Sequence, residues 1–151
     1  MHFLRQAIAI GALVSACTAN VAPSTTTPPV DWGPLAVQAS GNGEKARTQG
    51  TLRIDGDCVL LERGGERTLL VWPASQVSWD PGRETVMFVD RHGRLRQLTN
   101  GMPVGFGGGG ASEAEGGPLE DRFASVDWVK RPDPECVAPS VWFVGTWSNP
   151  T

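Results

Sequence analysis

Apolar and polar residues alternate in short bursts along this chain, and turn residues separate the bursts. Thr51-Leu52-Arg53-Ile54 alternates with the two-residue period of a half-buried β-strand. Asp55-Gly56-Asp57 reads as a turn, and Cys58-Val59-Leu60-Leu61-Glu62 as the next strand. Arg63-Gly64-Gly65-Glu66 then leads into Arg67-Thr68-Leu69-Leu70-Val71-Trp72, a hairpin whose glycine pair accepts positive φ. Pro73 has no N–H to donate and stops that strand. A second hairpin runs from Thr85–Asp90 through Arg91-His92-Gly93-Arg94 into Leu95–Leu98. Asn100-Gly101 is a further turn before Met102–Phe106, and later strands are expected at Phe123–Val129 and Val141–Trp147.

No long window carries the 3.6-residue period of an amphipathic helix; Ala111–Asp121 has room for one short helical turn. Residues 31–47 are ambiguous: Trp32 and Leu35-Ala36-Val37 either add a short strand or pack on an edge. Many short strands with frequent turns predict an all-β fold. The expected architecture is a small OB-like or partly closed β-barrel, with a small β-sandwich as the alternative. Closure removes sheet edges that a glycine-rich sheet would otherwise protect badly.

Composition sharpens this picture. The chain has 151 residues with 19 glycines and 12 prolines, which favours turns over long helices. The formal net charge is −3, so a basic nucleic-acid binder is not expected. At the N-terminus, Arg5 with His2 nearby precedes the apolar run Ala7–Val14, too short for a bilayer span of about 20 residues. Residues 1–16 therefore read as a secretory signal peptide. Residues 18–30, rich in Pro and Thr and free of charge, read as an extended, disordered tether. The β-rich globular domain is expected over residues 48–149, with 17–47 holding the tether and the ambiguous edge segment.

The end of the apolar run, Val14-Ser15-Ala16-Cys17, resembles the lipobox of bacterial lipoproteins. The resemblance implies that Cys17 becomes the acylated first residue of the mature chain, in place of an ordinary signal cut elsewhere with Cys17 incidental. Two or three acyl chains hold a protein stably at a membrane surface, where one holds it only marginally. Thr18, rather than Asp, after the cysteine is compatible with outer-membrane sorting in a host that has one. The implied location is exported: lipid holds the protein to the cell membrane or outer membrane, with the folded part outside the cytoplasm. Lipidation also resolves an odd cysteine count, because it leaves Cys58 and Cys136 to pair as a disulfide in an oxidising compartment. The rival reading of these two as metal or redox ligands lacks a CxxC spacing, and His92 is the only histidine beyond the signal.

A second, looser resemblance joins Gly50-Thr51-Leu52, Gly56-Asp57-Cys58-Val59-Leu60-Leu61, Leu69-Leu70-Val71-Trp72-Pro73 and the cluster Gly107–Gly110. This pattern, over about residues 50–145, is similar to a group of uncharacterised bacterial lipoproteins and exported proteins. It implies a small β domain and carries no activity with it.

Candidate chemistry is thin. His92, with Asp90 two residues before it and Ser75 and Ser78 elsewhere, has the residue types of a hydrolytic triad. Its place at a hairpin tip favours a turn role, and no Gly-x-Ser-x-Gly elbow is present. Asp55, Asp57, Asp80 and Glu84 lack the spacing of a calcium loop. Gly107–Gly110 is not followed by the Lys-Ser or Lys-Thr of a phosphate loop, and reads as a mobile loop or a glycine-lined strand. No cofactor or metal site is expected. Of the six tryptophans, Trp72, Trp128 and Trp142 belong to the expected core. Trp79 and Trp147, near loops or the chain end, are candidates for a binding face toward a sugar or a protein partner. The expected function is a non-catalytic envelope lipoprotein that binds a protein or polysaccharide partner. A small envelope hydrolase and a purely structural stabiliser are the alternatives.

Overall fold

A computed structural model of the protein describes residues 29–41, 46–136 and 138–150. The expected signal peptide, Cys17 and the expected tether up to residue 28 lie outside the described residues. The chain folds as β1 (Ala36–Gln38), β2 (Ala46–Asp55), β3 (Cys58–Arg63), β4 (Glu66–Pro73), β5 (Val77–Asp80), β6 (Thr85–Val89), β7 (Leu95–Leu98), β8 (Pro103–Ser112), α1 (Glu113–Gly116), α2 (Leu119–Ala124), β9 (Trp128–Lys130) and β10 (Ser140–Ser148).

Five of these strands close a ring. β2 pairs with β3, β3 with β4, β4 in parallel with β10, β10 with β8, and β8 back with β2. Counting only the ring strands, the order is 1-2-3-5-4, and the third and fifth run parallel. That is the OB-like barrel expected from the sequence. β1 and β9 extend the sheet beyond β4, and β5, β6 and β7 form a separate three-stranded antiparallel sheet.

Side-chain alternation explains the apolar run of β4. Leu70 and Trp72 point into a core shared by the barrel interior and the small sheet, with Leu52, Phe88, Phe106 and Val144. Leu69 and Val71 point outward into a second cluster with Leu60, Leu119, Val141 and Phe143. A strand buried on both faces must be apolar at every position. The hairpin before it turns at Gly64 and Gly65, with φ of 59° and 86°, the conformation the glycine pair was expected to supply.

Three segments depart from the sequence reading. The strand expected at Phe123–Val129 is a helix up to Ala124, and only Trp128–Lys130 is strand. Leu119 and Phe123 stand four residues apart, both pack into the outer cluster, and Glu120 and Asp121 sit favourably in the first helical turn. The single helical turn expected within Ala111–Asp121 resolves into two short helices, the second reaching Ala124. β5 was not anticipated: four residues between turns offer too little pattern, and its pairing with β6 defines it. Ala36 and Val37 of the ambiguous Leu35-Ala36-Val37 segment open β1, which pairs in parallel with β4, and all three residues are buried.

Candidate functional site

In OB-like barrels the outer face of the second and third strands, with the loops beside it, is the usual place for an oligomeric ligand. Here that face is covered. Leu60, Leu69 and Val71 on its surface pack under Leu119 and Ala138, which belong to the segment joining β8 to β10. Cys58 at the start of β3 is bonded to Cys136 in that same segment, with Cα atoms 5.4 Å apart. The disulfide expected from the sequence is present, and it fastens the cover. A concavity beside it is lined by Asp55, Asp57, Asp133 and Glu135 with Arg67. Among the described residues no group of three or more His, Cys, Asp or Glu side chains is arranged to hold a metal.

The open surface lies elsewhere in the ring, where β8 runs between β2 and β10. Register places Arg47, Gly107 and Thr146 in one row across the three strands, and Gln49, Gly105 and Ser148 in the next row on the same face. The middle residue of each row has no side chain, so its neighbours on β10 can lean over β8. A Cβ on Gly107 would come within 2.3 Å of the Thr146 hydroxyl oxygen, and one on Gly105 within 2.7 Å of the Ser148 hydroxyl oxygen. The glycine cluster is thus a glycine-lined strand whose bareness admits its neighbours' hydroxyls.

Arg47, Thr146 and Ser148 of these two rows also line a cleft of about 400 Å³. One wall is Arg47 of β2, another is the β6–β7 turn with Asp90, Arg91, His92 and Arg94, and the third is Thr146–Asn149. A smaller concavity of about 260 Å³ adjoins it, shares Arg47, Ser148 and Asn149, and adds Arg63.

Asp90 organises the turn. Its side chain is buried, and its carboxylate accepts the backbone N–H groups of His92 (2.9 Å) and Arg94 (3.0 Å) on one oxygen. The other oxygen accepts Nε of Arg94 (3.1 Å) and a terminal nitrogen of Arg96 (3.2 Å). Burial pushes its pKa up, but the four donors, the backbone N–H of Arg94 foremost, outweigh it and hold the carboxyl well below the usual aspartate range. Arg96 in turn lies over the Trp147 ring, 5.3 Å from its centroid. Arg47, Arg63 and Arg91 meet no acid among the described residues.

The residues singled out by sequence separate here. Trp147 borders the cleft, held by Arg96, by an edge contact with Phe106 (centroids 5.8 Å apart) and by a hydrogen bond from its Nε1 to Asn149 (3.2 Å). Its guanidinium cover makes it a wall of the cleft rather than a bare stacking platform. Trp79 lies elsewhere: its indole fills the space above Gly33, so it acts as a packing residue beside β1. Trp72 is fully buried in the core, whereas Trp128 and Trp142 are half-buried at the edges of the two clusters. The His92 ring accepts a hydrogen bond at Nε2 from Arg91 (3.2 Å), and Asp90 bonds the His92 backbone instead of the ring. Asp80 caps its own turn by accepting the N–H groups of Gly82 and Arg83. Sequence reasoning missed Arg47, Arg91 and Arg94, whose only signal was basic character at a hairpin tip and at the start of a strand.

Comparison with protein-family models, with curated proteins and with solved structures found no match.

Proposed function

We propose that this chain is an exported lipoprotein in which residues 1–16 are removed, Cys17 is acylated, and the β-barrel serves as a non-catalytic binding module at the cell envelope. The observation that carries this reading is the bond between Cys58 and Cys136. A structural disulfide belongs to an oxidising compartment, and it accounts for both cysteines beyond the lipobox, leaving Cys17 for lipid. The basic cleft between β2, β10 and the β6–β7 turn is the binding place in this reading. Its geometry favours binding over hydrolysis. Asp90 spends its oxygens on backbone and guanidinium donors, and the His92 ring nitrogen faces Arg91, so neither is set to activate a nucleophile.

Mass spectrometry of the mature N-terminus tests the placement. A peptide beginning at Cys17 and carrying diacylglyceryl is the expected result. An intact peptide reading through Ala16-Cys17 with a free thiol would overturn it.

A further inference from the structure

We infer that the cleft beside Trp147 binds the phosphate groups of a phosphate-bearing glycan. The inference rests on the reading of this chain as an envelope binding module and names its ligand. The body of the protein is acidic, with a net charge of −3 over the whole chain, yet the cleft collects positive charge. Arg47, Arg91 and Arg94 line it, and Asp90 is the only acid among the described residues of its wall. That single carboxylate is buried and already shared by Arg94 and Arg96. Among the described residues no acid pairs with Arg47 or Arg91, which both line the cleft. A guanidinium presents a planar fork that matches two oxygens of a phosphate, and such charge-assisted bonds are about twice as strong as neutral ones.

Two further features distinguish the site from a random basic patch. The turn is preorganised, because four donors converge on Asp90 and fix the backbone from which Arg91 and Arg94 project. The backbone that carries these arginines is then ordered before the ligand arrives, which lowers the cost of binding. The remaining wall is neutral and hydroxylic, with Thr146, Ser148 and Asn149 able to exchange hydrogen bonds with sugar hydroxyls. The concavity continues past Asn149 toward Arg63, so a second phosphate along a polymer meets a second cation. A membrane surface fits less well. The tip Arg91-His92-Gly93-Arg94 is polar, the exposed Val89 and Leu95 beside it do not line the cleft, and the arginines sit in a concavity instead of on a plane.

The full chain in detergent is titrated with a phosphate-substituted mannan, with unsubstituted mannan of the same length, and with phosphatidylglycerol vesicles, at several salt concentrations. Binding to the phosphorylated polymer that weakens with salt is expected, with the unsubstituted polymer at least tenfold weaker, on the order of the loss of one charge-assisted contact. Arg47→Gln with Arg91→Gln is expected to weaken binding at least about tenfold. Neither side chain holds an ion pair among the described residues, and an unchanged circular dichroism spectrum confirms folding. Arg83→Gln, on the β5–β6 turn, is expected to bind like the native chain. Equal affinity for both mannans, no loss in the double variant, or binding to vesicles alone would each overturn the inference. The N-terminal mass separates the two readings. Acylated Cys17 without mannan binding sinks only this inference, and mannan binding by a chain with unmodified Cys17 sinks only the placement.

Discussion

Opening the Cys58–Cys136 bond is expected to be the largest single perturbation available outside the core. The bond joins positions 78 residues apart, from the first turn of the barrel to the segment that covers its β3–β4 face. In the chain-entropy treatment a loop of this length removes about 15 cal/mol/K from the unfolded ensemble, or about 4.5 kcal/mol at 25 °C. Residual structure in the unfolded chain reduces this, so about 3 to 4.5 kcal/mol is the expected range. A domain of about 100 residues unfolds with an entropy near 0.2 kcal/mol/K, which converts that range to a fall in Tm of about 15–20 °C. Circular dichroism melts of the native chain, of the chain under reductant, and of the Cys58→Ser, Cys136→Ser variant measure it directly. The two perturbed samples should melt at similar temperatures, well below the native protein. The cleft contains neither cysteine, so below the lowered Tm the anion affinity should be unchanged. A fall of less than about 5 °C, or alkylation of both thiols in the folded native protein, would refute the reasoning that this bond fastens the cover.

Two other consequences are equally direct. Asp90→Asn keeps an acceptor for the backbone donors but removes the charge that Arg94 and Arg96 share, so it should destabilise the fold at neutral pH. The folded carboxyl titrates below its ordinary value, so its contribution is complete above about pH 4 and fades as pH falls further. In urea unfolding from pH 7 to pH 2, the gap between native and variant should narrow below about pH 4; a gap independent of pH would contradict the assignment. Phe88→Ala removes a fully buried ring packed against Trp72 and Phe106, with centroids 5.7 and 6.3 Å away, and should cost about 3–5 kcal/mol in chemical denaturation. A cost below about 1 kcal/mol would mean that the small sheet does not share the barrel's core.

How much of this was legible in the chain follows from what sequence periodicity can carry. The two hairpins around Gly64-Gly65 and around residues 91–94 were readable, because local alternation and a turn signal fix both strands and their register. The parallel pairs, β1 with β4 and β4 with β10, were not, since no local turn encodes them. Their only trace was the unbroken apolar run Leu69–Trp72, which needs a cover on each side. Phe123 misled for a physical reason: an aromatic in a short apolar stretch suits a strand, but its partner Leu119 is one helical turn away. The candidate site was less legible still. Trp147 was singled out for its type, yet what gives the cleft its chemistry is Arg47 arriving from a strand start and Arg91 and Arg94 from a turn. Those three converge only after the barrel closes.

The glycines of β8 tie closure and cleft together, and adjacent substitutions separate the two roles. A Cβ on Gly108 would lie 2.0 Å from the carbonyl oxygen of Phe143, a backbone atom of the neighbouring β10 that cannot move without opening the ladder. Gly108→Ala should therefore break the β8–β10 seam, costing about 3 kcal/mol or more, at the upper end of overpacking in a tight interior. A Cβ on Gly107 meets a side-chain hydroxyl instead, that of Thr146, which can rotate away. Gly107→Ala should cost less than about 1.5 kcal/mol of stability, like other changes a site can absorb by side-chain adjustment. It nevertheless displaces the hydroxyl of Thr146, which lines the cleft with Arg47 in the same row. The expected pattern is a dissociation: Gly108→Ala loses most in stability, whereas Gly107→Ala shifts its melting curve by only a few degrees and loses affinity for the phosphorylated mannan. Were Gly107→Ala to bind as well as the native chain, the bareness of β8 would be a by-product of strand packing, and the ligand would have to be held by the turn arginines without the Thr146 hydroxyl.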